Sequence, residues 1–99
     1  MRLEVFGKPS CAKCKSAKEK LKHLLAKSDL SGSVALEFFD LDSIEGMAEG
    51  AFNDVTDQLP TIILREDSGV VRARWNGQLP LSSEVLSLLG AAKNVGAVE

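Results

Sequence analysis

The chain has 99 residues, of which 44% are hydrophobic and 26% charged, with a formal net charge of −2. That length makes one domain around one modest core, and the near balance of charge gives no reason to expect a nucleic-acid partner. No stretch approaches the ~20 apolar residues of a membrane helix, and the opening MRLEVFG lacks the basic start and apolar run of a secretory signal, so no membrane association and a cytoplasmic location are expected.

Arg2 to Phe6 (RLEVF) is short, β-prone and closed by Gly7, which reads as a strand. Lys8, Pro9 and Ser10 form a short loop. From Cys11 to about Lys27 the pattern turns helical. Cys14, Ala17, Leu21, Leu24 and Leu25 fall on one stripe, while the lysines and His23 take the other face. DLSGS, Asp29 to Ser33, is a turn cluster, and VALEFF, Val34 to Phe39, is a second strand. Between Asp40 and Asp57 the apolar Ile44, Met47, Ala51 and Phe52 are mixed with Gly46 and Gly50, which predicts a short, weak helix inside loops.

PTIIL, Pro60 to Leu64, reads as a third strand, and EDSG, Glu66 to Gly69, as a hairpin turn. VVRARW, Val70 to Trp75, is a fourth strand with Val71, Ala73 and Trp75 on one face. After the loop NGQLP, Ser82 suits an N-cap, with Leu81 and Leu86 spaced as a hydrophobic staple. Gly90 is placed to end this last helix, leaving residues 91–99 as a flexible tail beyond a single domain of residues 1–90. The order β-α-β-α-β-β-α predicts an α/β fold. The long crossover makes the first two strands parallel, the last two form a hairpin, and helices cover a four-stranded mixed sheet.

Charge is unevenly spread. Residues 1–27 carry the bases Arg2, Lys8, Lys13, Lys15, Lys18, Lys20, Lys22 and Lys27 against the acids Glu4 and Glu19. Residues 28–64 carry Asp29, Glu37, Asp40, Asp42, Glu45, Glu49, Asp54 and Asp57 and no lysine or arginine. This pattern fits two solvated faces of opposite sign. It also fits steering of an acidic partner toward the basic end.

Cys11 and Cys14 are the only cysteines. Their spacing admits a redox pair, half a metal site, or two buried neighbours. In a reducing cytosol a lone Cys-x-x-Cys is redox-active or metal-binding more often than it is a structural bridge. A structural zinc site wants four ligands, and the chain offers two cysteines and His23 on the polar face of its helix, so no resident metal is expected. The element order sets Cys11 at the first turn of a helix. Free backbone N–H groups and the helix dipole favour negative charge there, and Lys8, Lys13 and Lys15 add to it. All of this stabilises a thiolate, the nucleophilic form. Cys14, in line with the apolar stripe, should be the more buried of the two. Such a pair suits a two-step exchange, in which Cys11 attacks a disulfide and Cys14 resolves the mixed disulfide.

The segment Phe6-Gly7-Lys8-Pro9-Ser10-Cys11-Ala12-Lys13-Cys14, following a strand and opening a helix, resembles the active-site segment of glutaredoxins. Gln58-Leu59-Pro60-Thr61-Ile62 resembles the second signature of the wider thioredoxin superfamily, a cis-proline loop opening the third strand. The resemblance runs from Leu3 to about Gly90. It implies a thioredoxin/glutaredoxin-like fold and a disulfide reductase with Cys11 attacking and Cys14 resolving. It further implies a cis Pro60 beside the thiols, and Leu59 offering its backbone to an extended substrate. Lys8 matches the lysine that pairs with a glutathione carboxylate, and Gly77 matches one glycine of the glutathione site. Ala12-Lys13 departs from the Pro-Tyr of glutaredoxins and the Gly-Pro of thioredoxins, and Trp75-Asn76-Gly77-Gln78 departs from the glutaredoxin Gly-Gly pair. The expected partners are a protein disulfide and a reductant, either glutathione or a thioredoxin reductase-type flavoprotein, with the protein a monomer. The alternative is an iron–sulfur or metal-binding glutaredoxin-like module.

Overall fold

Alternation along the first strand decides which side of the sheet each helix meets. In the computed structural model, which describes residues 1–93, β1 (Arg2–Gly7) lies inside a sheet of order β2-β1-β3-β4. It runs parallel to β2 (Ala35–Asp40) and antiparallel to β3 (Thr61–Arg65), which pairs antiparallel with β4 (Val71–Asn76). Val5 stands opposite both Phe38 and Ile62, and Ile62 opposite Trp75. Those residues share one face with Leu3 and Leu64.

That face carries the core. The crossover helix α1 (Ala12–Lys27) buries Cys14, Ala17, Leu21, Leu24 and Leu25, the predicted stripe. Ala17 and the three leucines join Leu3, Val5, Ile62, Leu64 and Trp75, and Val85 and Leu89 of α3 (Ser82–Lys93). Each such aliphatic side chain contributes roughly 1.5–3 kcal/mol when fully buried.

The second face is partly polar. Glu4 is buried there, with only 6% of its side chain exposed, and accepts hydrogen bonds from Arg2 at 2.8 Å and Arg65 at 3.2 Å. Arg65 continues to the Asn53 side-chain carbonyl at 2.6 Å and the Gly69 carbonyl at 3.0 Å. Phe6 stacks on Phe39 with ring centroids 4.8 Å apart. The weak helix between loops is present as α2 (Ile44–Phe52). Ser43 caps it by accepting from the Gly46 N–H at 2.9 Å. Its buried residues are Gly46 and Gly50, while Ile44, Met47 and Phe52 stand 82%, 54% and 84% exposed.

Several boundaries differ from those predicted. The second, third and fourth strands each begin and end one residue later. In β4, Trp75 is buried as expected, but Val71 is 47% exposed, because the register shifts at Leu64/Arg65 and turns the strand start away from the core. In α3, Ser82 is the first helical residue, and Leu81 is 68% exposed, so the staple does not form. The helix passes through Gly90 to Lys93. A glycine inside a helix costs only about 1 kcal/mol against alanine, and burial of Val85 and Leu89 outweighs that. Of the tail predicted over residues 91–99, residues 94–99 lie outside the described residues.

Candidate active site

The end of β1 sets the site. After Gly7 the chain turns through Lys8, Pro9 and Ser10, and the Cys11 N–H closes the turn on the Lys8 carbonyl at 3.0 Å. Cys11 is the N-cap of α1, in extended backbone conformation, and its sulfur accepts the Cys14 N–H at 3.1 Å. The sulfur thus takes the place a serine or aspartate oxygen holds at other helix starts. No acidic side chain lies in that first turn. Cys11 is partly exposed and Cys14 fully buried. The two are joined as a disulfide with Cα atoms 5.2 Å apart.

Gly7 makes room for this arrangement. A Cβ on it would lie 2.6 Å from both Cβ and Sγ of Cys14, closer than carbon and sulfur tolerate. The strand end therefore has to be glycine for the helix to seat its second cysteine against the sheet.

On the β3 side, Phe6 pairs with Thr61, which brings the end of β1 beside Pro60. The Leu59–Pro60 bond is cis, as the resemblance implied. Pro60 is buried and Leu59 partly exposed. The Leu59 N–H donates to the Asp57 carbonyl at 3.1 Å. Gly77, at φ +76°, donates its N–H to the Pro60 carbonyl at 2.8 Å. Its own carbonyl accepts from the Lys13 ammonium at 3.2 Å. Lys13, between the two cysteines, thereby ties their turn to the proline loop.

Of the predicted site residues, Cys11, Cys14, Pro60, Leu59 and Gly77 thus gather at one end of the sheet. Lys8 stands on the β2 side of that end, its ammonium 4.0 Å from Asp42. Two contributions were not expected from the sequence: the close fit at Gly7, and the tie from Lys13 to Gly77, since Lys13 was expected only to add positive charge near Cys11. The signal for Gly7 was its place between a buried strand and the cysteine turn. The Lys13–Gly77 tie gave none, since it depends on which strands lie next to one another.

Among the described residues, no group of three or more histidine, cysteine or acidic side chains is placed to hold a metal ion. No described helix is long and apolar enough to cross a membrane.

No family model matches the chain, and no curated protein matches it by sequence. Solved structures match by shape. Thioredoxin 1 from Thermosipho africanus TCF52B is 22% identical, with a TM-score of 0.72 over 96% of this chain and 97% of that one. A thioredoxin-2 described as a component of malaria parasite protein secretion machinery is 23% identical, with a TM-score of 0.73 over 91% of this chain and 81% of its own. Chloroplastic thioredoxin z is 21% identical, with a TM-score of 0.69 over 93% and 77% of the two chains. These likenesses establish a thioredoxin-like fold, a mixed four-stranded sheet in the element order predicted.

Proposed function

We propose that this thioredoxin-fold chain is a thiol–disulfide oxidoreductase that reduces protein or glutathione-mixed disulfides through Cys11 and Cys14. The observation that carries the reading is the position of the Cys11 sulfur. It is partly exposed, held by a helix N–H, and backed by a second, buried cysteine within bonding reach. The likeness to solved thioredoxins supports the same reading.

In the reduced form the Cys11 thiolate attacks one sulfur of the substrate disulfide. The substrate S–S bond breaks, its other sulfur leaves and takes up a proton, and a mixed disulfide remains on Cys11. Cys14 then gives up its proton and attacks the Cys11 sulfur. The second substrate thiol is released, and the Cys11–Cys14 bond forms. Two electrons pass from the cysteine pair to the substrate. Cys14, packed against Gly7, is screened from outside disulfides but adjacent to Cys11. Leu59, Pro60 and Gly77 form the wall along which an extended substrate lies.

The pair is restored by an external thiol reductant, either glutathione or a thioredoxin reductase-type flavoprotein. Proteins of this superfamily span roughly −270 to −120 mV. A coupled assay tests the proposal. The protein is given glutathione with its reductase, or thioredoxin reductase with NADPH, each with a model disulfide. Turnover with either system supports the reading and assigns the reductant. No turnover with both, in protein whose Cys11–Cys14 bond cycles with dithiothreitol, rejects it.

A further inference from the structure

The end of β1 has two flanks. The Pro60 loop occupies one, and a cleft of about 260 Å³ occupies the other, lined by Lys8, Pro9, Lys15, Lys18 and Phe38. We propose that this cleft binds an acidic segment of the disulfide-bearing polypeptide, so that acidic disulfide proteins are the preferred substrates. The inference rests on the oxidoreductase reading and adds the substrate class to it.

The cleft adjoins the cysteines through Gly7. Phe38 lies next to β1 on the face that α1 covers, and a Cβ on Gly7 would be 3.6 Å from its ring as well as touching Cys14. An occupant of the cleft is therefore seated one strand away from the disulfide, opposite the proline loop. Pro9 and Phe38 give it an apolar floor, and three ammonium groups rim it. Lys18 lies over the Phe38 ring at 5.2 Å from its centroid, a contact that fixes the cation without neutralising it.

The charge at this rim is largely unspent. Among the described residues, neither Lys15 nor Lys18 pairs with a carboxylate, and Lys8 meets Asp42 only at 4.0 Å. Two other lysines of the same helix are engaged elsewhere, Lys13 with the Gly77 carbonyl and Lys20 with the Pro80 carbonyl at 2.9 Å. The nearby Asp40 accepts the Asp42 N–H at 2.8 Å. A segment with carboxylates around an apolar side chain satisfies both parts of the cleft: cations at the rim and a ring below. Exposed charge pairs each add little, but several together raise the encounter rate and fix the approach.

The test uses three disulfide peptides identical except for the residues flanking the cysteine: aspartates, glutamines or lysines. With wild-type protein, kcat/KM should follow the order acidic, neutral, basic, with about a tenfold acidic-to-neutral ratio at low salt. That ratio should shrink toward unity at about 0.5 M salt. Lys15→Glu/Lys18→Glu should abolish or invert the preference. Lys22→Glu/Lys27→Glu, the same change in net charge at exposed positions farther along α1, should retain it and so control for net charge. Equal kcat/KM for the three peptides, or a preference that survives in Lys15→Glu/Lys18→Glu, overturns the inference and leaves the oxidoreductase reading standing. Failure to reduce any of the peptides overturns both.

Discussion

The backbone N–H of Cys14 donates to the sulfur of Cys11 across 3.1 Å, at the point where α1 begins. A hydrogen bond to the charged form of an acid lowers its pKa, and the helix start adds a favourable dipole. In the reduced protein, Cys11 should therefore alkylate with a pH midpoint below the free-thiol reference of about 8.5. Iodoacetamide rates measured across pH on a Cys14→Ser background check this. A midpoint at or above the reference means that the helix start does not activate the sulfur.

The two cysteines should fail in different ways. Cys11→Ser should lose all disulfide reduction. Cys14→Ser should accumulate a covalent adduct with substrate, visible as a mass increase that dithiothreitol removes. The same absence of adducts in both variants contradicts the assigned roles.

Gly7→Ala should destabilise the fold by about 1–3 kcal/mol through overpacking. Alanine elsewhere in a strand gains roughly 0.5–1 kcal/mol over glycine. Here the new methyl meets both Cβ and Sγ of Cys14, and in the oxidised protein that sulfur cannot swing away because Cys11 holds it. Urea unfolding followed by fluorescence of Trp75, the single tryptophan, measures the loss. An unchanged or raised midpoint shows that the strand end has slack.

Arg65→Met should cost about 3 kcal/mol, since it leaves the buried Glu4 carboxylate with Arg2 alone. Adding Glu4→Leu should recover much of that loss, because two apolar groups then replace a charge with too few partners. A double-mutant cycle checks the coupling. Losses that add within about 0.5 kcal/mol mean that the pair does not act as a unit.

The fold was largely legible because its signals are periodic. The stripe Cys14, Ala17, Leu21, Leu24 and Leu25 is the buried face of α1 without exception, and the short β-prone runs RLEVF and PTIIL marked two central strands. The ends were less legible. Gly90 carries a helix-stop signal, but tertiary burial of Val85 and Leu89 carries the helix past it. Val71 follows the alternation of its strand, but a register shift in the neighbouring pair removes it from the core. The cysteines and Pro60 were visible as motifs. The Lys13–Gly77 tie and the Phe38 cleft were not, because each joins residues whose proximity arises only from the strand order β2-β1-β3-β4. Glu4 and Arg65 were hidden for the same reason. Single charges in apolar strands show no partner until pairing sets them side by side.

Because the residues that α2 buries are Gly46 and Gly50, the exposed side chains of Ile44, Met47 and Phe52 bear little of the weight of the architecture. They are natural anchor points for a fluorophore, a spin probe or an immobilising tether. Exchanging them for hydrophilic residues should improve handling at high concentration while the cysteine machinery keeps its shape.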